Sequence, residues 1–405
     1  MSSPENIAVG SDAGDTSYGK ITDAAVEEVR RRIGRVYPIE EPFVRYVNAD
    51  SIRHAARAIG DANPLWIDAT HAQASRHGRR MAPPALLYAV TWGSWDMRRG
   101  EGLPGVHGLH AHDRWTYYRP LLEGDEVTAT KQMTALDERT GKYAGRSMMQ
   151  VREFKYYNQR DELVARCVMS AVRAERHAGK EIGKYMAIPK ARYSDAEIRA
   201  IDADASAEVV RGKQPRYWED VAVGDAIQPV VRGPLTVADM IAWMMGVGSP
   251  HIRSGQYWLA YRRQSPKIAV KDPDTGIPQA VERVHWDSFM AAEIGMPAPY
   301  DYGSQRGAWA THLMTNWAGD DAWVAEVFAK FRGMNFLGDT VWIKGRVVDR
   351  WRGAKSGIGY VACEIQGINQ RGEDIMPGTA VVALPTRGAP LPAGPIDHEA
   401  DGRAA

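Results

Sequence analysis

The chain has 405 residues, too many for one ordinary domain, with 51 Lys and Arg against 50 Asp and Glu and a formal net charge of +1. That balance excludes a general nucleic-acid binder, which carries a basic surplus, and 44% hydrophobic with 25% charged residues excludes disorder throughout. Two cysteines, Cys167 and Cys363, exclude a disulfide framework or a Cys-based metal site. No run approaches the roughly 20 apolar residues of a bilayer span. Met1 to Tyr18 has neither the positive nor the apolar region of a secretion signal, so the expectation is a cytoplasmic protein with no membrane partner.

Residues 1–20 are rich in Gly, Ser and Asp and read as a disordered tail. A first module is expected over 21–175. In it Asp68 caps a helix over Ala69 to His77 that Gly78 stops, and a turn follows at Met81-Ala82-Pro83-Pro84. Ala85 to Trp95 is then an apolar segment that reads as a central buried helix. A Gly124-Asp125 turn leads into strands, and Asn158 to Glu162 joins two more, Ser147 to Tyr157 and Leu163 to Val172. Residues 176–212 form a connector holding a helix from Ser194 to Val209.

The second module, 213–386, repeats the first. Asp287 caps Ser288 to Ile294, Gly295 stops it, and Met296-Pro297-Ala298-Pro299 precedes a helix over Ser304 to Trp317. Gly338-Asp339 echoes Gly124-Asp125, and Asn369 to Glu373 echoes Asn158 to Glu162, at nearly one offset. Strands are expected over Gly359 to Ile368 and Ala380 to Leu384. Residues 387–405, rich in Gly, Pro and Ala, read as a second disordered tail. One long helix followed by antiparallel strands makes each half an α+β layer with the sheet curled around the helix.

On these residues the chain resembles a known family. Gly60-Asp61-Ala62-Asn63-Pro64-Leu65-Trp66 is similar to the Asp-x-Asn-Pro-x-His motif of MaoC-like (R)-specific enoyl-CoA hydratases and dehydratases. Tyr118-Arg119-Pro120 with Gly124-Asp125 resembles that family's strand entry, and Tyr217 to Asp225 resembles the start of its second module. The resemblance implies a double hot-dog fold and reversible addition of water to a 2-enoyl-CoA, with the acyl-CoA as substrate and no metal or cofactor. It also implies that the motif Asp and His hold the water, and that a glycine before the hot-dog helix supplies an oxyanion donor.

Both halves depart from the motif. In the first, Asp61 and Asn63 are present but Trp66 takes the His position, and indole neither accepts nor delivers a proton near neutral pH. Trp66 is read as packing or as an apolar wall for the acyl chain. In the second, His285 stands in that slot with Asp287 behind it, but the motif Asp is missing: position 280 is Ala. Glu282, Asp272 and Asp274 are the carboxylates that could replace it, and Asp61 or Asn63 crossing to His285 is the minor alternative. Pro250 lies 35 positions before His285, against 2 from Pro64 to Trp66, so 251–284 is an insertion. Its Tyr257, Trp258 and Tyr261 suggest a helix or flap over the acyl site.

The expected catalytic set is therefore His285, Gly303, Asp287, Asp61 and Asn63, with Trp66, Tyr302, Asp301, Arg306 and Trp258 on substrate. Asp287 is read first as an N-cap, the counterpart of Asp68, and only second as catalytic. His107, His110 and His112 invite a metal site, but strand alternation puts only His110 and His112 on one face and turns Asp113 away, so none is expected. Arg76, Arg79 and Arg80, or Arg306, Lys330 and Arg332, are candidates for CoA phosphates. Two other functions stay open: a non-catalytic acyl-CoA-binding or partner subunit of a homo- or hetero-oligomer joined through sheet edges, and a hot-dog thioesterase.

Overall fold

The computed structural model describes residues 19–141 and 145–403, so residues 1–18 of the expected N-terminal tail lie outside the described residues. The first module opens with helix α1 (Asp23–Arg30), strand β1 (Val36–Pro38) and helix α2 (Ala49–Ile59). Short helices α3 (Pro64–Ile67), α4 (Ala69–Ala74) and α5 (Leu86–Thr91) follow, then strands β2 (His107–Tyr117), β3 (Val127–Gly141), β4 (Gly145–Asn158) and β5 (Leu163–Ala174). The connector holds α6 (Arg176–Ile182) and α7 (Asp195–Ser206), the latter closed by a Ser194–Glu197 capping box.

The second module runs through β6 (Ala226–Arg232), α8 (Val237–Val247), α9 (Gly255–Gln264) and the hairpin β7 (Ala269–Lys271)–β8 (Pro278–Ala280). After a 3₁₀ turn at Val281–His285 come α10 (Ser288–Ala292), α11 (Gly303–Ala318), β9 (Trp323–Lys330), β10 (Val341–Arg352), β11 (Gly359–Asn369) and β12 (Gly378–Leu384). The chain ends in α12 (His398–Asp401).

Ten strands form one sheet in the order β1-β3-β4-β5-β2-β9-β12-β11-β10-β6. Each half of that order mirrors the other, and the antiparallel pair β2–β9, with Trp115 opposite Val327, fuses the two modules. This is an α+β double hot-dog.

The repeated turns work through the same contacts. Asp125 accepts from the Leu122 N–H at 2.8 Å, and Asp339 accepts from the Phe336 N–H at 3.0 Å. Gly124 and Gly338 beside them have φ of +97° and +93°, where a side chain would be strained. Asn158 Oδ1 accepts from the N–H groups of Arg160 and Glu162, and Asn369 Oδ1 from those of Arg371 and Glu373. Asp68 and Asp287 cap α4 and α10 as their spacing predicts.

Two expectations are corrected. The first central helix is not Ala85 to Trp95 but the six residues of α5, after which Gly93 donates to the Tyr88 carbonyl five residues back and lies so close to α8 that a Cβ there would fall 1.8 Å from the Val247 carbonyl. In the second module, α11 runs 16 residues, all but its first buried. The C-terminal segment 387–403 is not loose: Leu391 and Ile396 are buried, and Asp401 accepts from Tyr360 and from the backbone of Lys355 and Ser356. A few anchors hold a stretch whose average composition is that of a linker. Among the described residues, no helix is long and apolar enough to cross a membrane.

Candidate active site

The 3₁₀ turn Val281–His285 closes the insertion and sets the site. In a 3₁₀ helix side chains three apart eclipse, so Glu282 and His285 share a face. His285 donates from Nδ1 to the Tyr300 carbonyl at 2.7 Å, which leaves the Nε2 lone pair free for a proton. Burial pulls this imidazole down to about 4, against the opposing pull of the Tyr300 carbonyl, so it is neutral near pH 7. Its ring stacks on Tyr302 at 3.8 Å between centroids.

Glu282 is buried, accepts from the Tyr302 hydroxyl at 2.9 Å and from the Ser249 hydroxyl, and is pushed by burial up to about 7. Tyr302 thus ties the two groups together, its ring under one and its hydroxyl on the other. Of the carboxylates considered to replace the missing Asp, the fold brings this one beside His285. Asp272 instead binds Arg283 and the backbone of its own turn, and Asp274 is exposed in that turn.

Helix α11 begins at Gly303 with no side chain capping its N-terminus, so its first N–H groups stay open to the cleft. A Cβ on Gly303 would fall 2.6 Å from the His110 Cβ, so only glycine lets strand β2 approach this closely. His285, Tyr302, Gly303, Asp301 and Arg306 line one cleft of about 920 Å³. Asp301 pairs with Arg306 at 3.1 Å and accepts from Asn335; burial raises its carboxyl to about 6, and its Oδ1 has no partner.

His107 and His110 also reach this cleft. The alternation argument fails for His110 because β2 bulges between His110 and His112, which returns Asp113 to the face of His110. His110 Nε2 lies 2.5 Å from Asp113, Tyr88 donates to Asp113 at 2.6 Å, and Trp115 donates to Tyr88 at 2.8 Å. This chain holds His110 rigidly beside the α11 N-terminus. Reading a bulge from sequence needs the partner strand, and no local signal announces it.

The other named residues lie elsewhere. Asp287 caps α10 and pairs with Arg283 at 2.7 Å, outside the cleft wall. Trp258 packs edge-on to Tyr261 on α9 and does not line the cleft. Arg76 and Arg79 bind backbone carbonyls and Arg80 pairs with Glu123. Arg306 and Arg332 line the cleft, whereas Lys330 lies over the Phe328 ring. Among the described residues, the one group of three side chains close enough to share a metal ion is Glu326, His398 and Glu399, and there Glu326 pairs with Arg114.

Asp61, Asn63 and Trp66 belong to a separate site. Asp61 accepts from the Trp66 indole at 2.9 Å and the Asn63 N–H at 3.0 Å, and Asn63 accepts from the Leu65 N–H. Asp61 does cross to the second module, but to His312 of α11, 3.5 Å away, and not to His285. His312 also meets Glu208 at 2.9 Å and Arg232 at 2.6 Å, so this network pins connector and both modules together.

Asn63 and Trp66 face an apolar cleft of about 620 Å³ with Met81 to Pro84, Tyr117 and Trp323. Backbone pairing aligns the two mouths: Ala82 donates to Leu121 as Asp301 donates to Asn335, and the bridges Met81–Leu122 and Tyr300–Phe336 match. Pro84 therefore stands where Gly303 stands, and proline has no N–H to offer.

This pairing of two hot-dog modules, one with a polar mouth and one with an apolar mouth, defines a double hot-dog protein. Residues 31–167 match the model of the FAS1-like dehydratase domain region. A UPF0336 protein of Parafrankia sp. is 32% identical over 143 residues, which are 35% of this chain and 90% of that one. Among solved structures, a MaoC-like dehydratase superposes with a TM-score of 0.61 at 16% identity, covering 88% of this chain and 99% of the other. A conserved hypothetical protein of Mycobacterium tuberculosis with a double hot-dog fold gives a TM-score of 0.53 at 12% identity, covering 87% and 96%. Through its first module the chain belongs with the UPF0336 proteins, and over most of its length it has the double hot-dog fold of the MaoC-like dehydratase structure.

Proposed function

We propose that the protein is an acyl-CoA hydratase/dehydratase that adds water reversibly to a 2-enoyl-CoA in its second module. The observation that supports this most is a neutral His285 lining one cleft with the open α11 N-terminus, and behind it Glu282, largely protonated below pH 7 and tied to that wall through the Tyr302 hydroxyl.

In the hydration direction, His285 Nε2 takes a proton from water as the water oxygen bonds to the β-carbon. The double-bond electrons move toward the thioester, whose oxygen gains negative charge opposite the Gly303 N–H. The resulting enolate takes its α-proton from the Glu282 carboxylic acid. His285 then loses its proton and Glu282 regains one from solvent. Asp301 and Arg306 hold the α11 end of the cleft. The first-module cleft has Trp66 in place of the His and Pro84 in place of the glycine N–H, and its carboxylate Asp320 is held by His71, which suits a supporting role.

The test is a panel of enoyl-CoAs starting with crotonyl-CoA, monitored for loss of the conjugated double bond and, in parallel, for free CoA thiol. Hydration by wild type is expected, with turnover reduced about 10³-fold in His285→Ala. Thiol release without hydration would identify a thioesterase instead. Equal turnover by both proteins would remove His285 from the mechanism.

A further inference from the structure

Behind His285 lies a second cavity of about 760 Å³, which shares His285, His107, His110 and Trp92 with the catalytic cleft. Its far wall is cationic. Arg98, Arg152 and Arg173 converge on the single carboxylate of Glu101, with Lys131 close by. Burial would raise that carboxyl, but Arg152, Arg98, Lys131 and Arg173 together hold it well below the usual range. The next carboxylate, Asp96, is turned away to Ser94 and to the N–H groups of Glu40 and Glu41. Glu282, on the near wall, binds hydroxyls and no arginine.

One negative charge therefore faces two buried guanidinium groups, the buried ammonium of Lys131 and, at the mouth, the partly exposed guanidinium of Arg98. Arg152 is the least satisfied. Beyond one oxygen of Glu101, its contacts are the thioether sulfurs of Met97 at 3.7 Å and Met169 at 3.5 Å, and its Nε has no partner. Thioethers are weak acceptors, and a guanidinium cannot shed its charge to escape burial. Arg173 Nε likewise has no partner, although its terminal nitrogens hold Gln150 and two backbone carbonyls. A purely apolar acyl chain has no use for such a wall.

We propose that this cavity receives a carboxylate carried by the acyl group, so that the substrate is the CoA thioester of an unsaturated dicarboxylic acid. The proposal rests on the placement of the thioester at His285. A planar guanidinium matches a carboxylate with two parallel hydrogen bonds, and a dicarboxylic acyl group sets its second carboxylate only a few carbons beyond the reacting double bond. The phosphates of CoA lie at the far end of the long pantetheine arm, away from that position.

Binding of unreactive saturated thioesters tests this without any turnover. Glutaryl-CoA and pentanoyl-CoA have the same chain length and differ in a terminal carboxylate, and free CoA reports the phosphates. By titration calorimetry, glutaryl-CoA is expected to bind wild type tighter than pentanoyl-CoA by on the order of tenfold. Arg152→Met should erase that preference and leave free CoA unchanged. Arg98→Met, at the half-exposed mouth of the cavity, should reduce it in the same direction and serves if the deeper variant does not fold. Equal or tighter binding of pentanoyl-CoA by wild type would overturn the proposal. So would parallel weakening of free CoA in the arginine variants, which would put phosphates there. A glutaryl-CoA preference in a protein that hydrates no enoyl-CoA would leave this site standing and reject only the hydratase reading.

Discussion

The two module mouths share one backbone and differ in what that backbone carries. In the first, Trp66, Ala82 and Pro84 occupy the positions of His285, Asp301 and Gly303 in the second. Each substitution removes a polar function: a proton carrier, a buried carboxylate and an N–H donor. The motif Asp has shifted the other way. Asp61 remains in the first module, where it holds Trp66 and faces His312, while the second draws its carboxylate from Glu282 on the inserted segment. The lesson is that one backbone architecture can carry two mouths whose side chains differ in polarity throughout.

The comparison can be broken most severely by making the second mouth resemble the first. Gly303→Pro deletes the N–H at a helix position that tolerates proline, and its ring also presses on His110. Hydration of crotonyl-CoA should fall about 10²–10³-fold, and unchanged turnover would mean that this N–H stabilises no charge.

A second variant sharpens the electrostatic side. The Glu282 carboxyl is raised from 4.5 to about 7, so the folded state loses nothing on its account below pH 4.5 and loses stability as pH rises toward about 7. That loss is on the order of 3 kcal/mol. Glu282→Gln has no such titration, so thermal unfolding between pH 5 and pH 8 should show a smaller drop in Tm for the variant than for wild type. Equal drops would show that Glu282 is not held in a desolvated site.

The mildest change addresses the first mouth. Trp66→Phe removes the donor from Asp61 and leaves a buried carboxylate oxygen short of a partner, which should cost about 1–3 kcal/mol in denaturant unfolding. Hydration should be unaffected. A large loss of turnover with intact folding would place chemistry in the first module after all.

Much of the fold was legible because its signals are local. Asp68 and Asp287 cap helices, Gly124 and Gly338 take left-handed turns, and Asn158 and Asn369 close hairpins through their own neighbouring N–H groups. Those contacts span a few residues, so a sequence displays them. His285 was placed by matching it to Trp66 within the repeat and Gly303 by its likeness to the family glycine before the long helix, and the fold sets both on one cleft. Glu282 was only one of three options, because its place depends on a 3₁₀ turn without a periodic signature and on Ser249, 33 residues earlier. Asp113 was read as turned away from His110, since the bulge that brings the two together arises from the register of β2 against β5. The arginines of the second cavity come from three separate segments that only the assembled barrel brings to one carboxylate.

The pH dependence of kcat/KM for enoyl-CoA hydration, in wild type and Glu282→Gln, tests most directly whether His285 acts as base and Glu282 as acid. The account predicts a plateau bounded by limbs near 4 and near 7, from His285 and Glu282 respectively, with the upper limb absent from the slower variant. A rate that climbs through pH 7, or an upper limb that survives unchanged in Glu282→Gln, would contradict it.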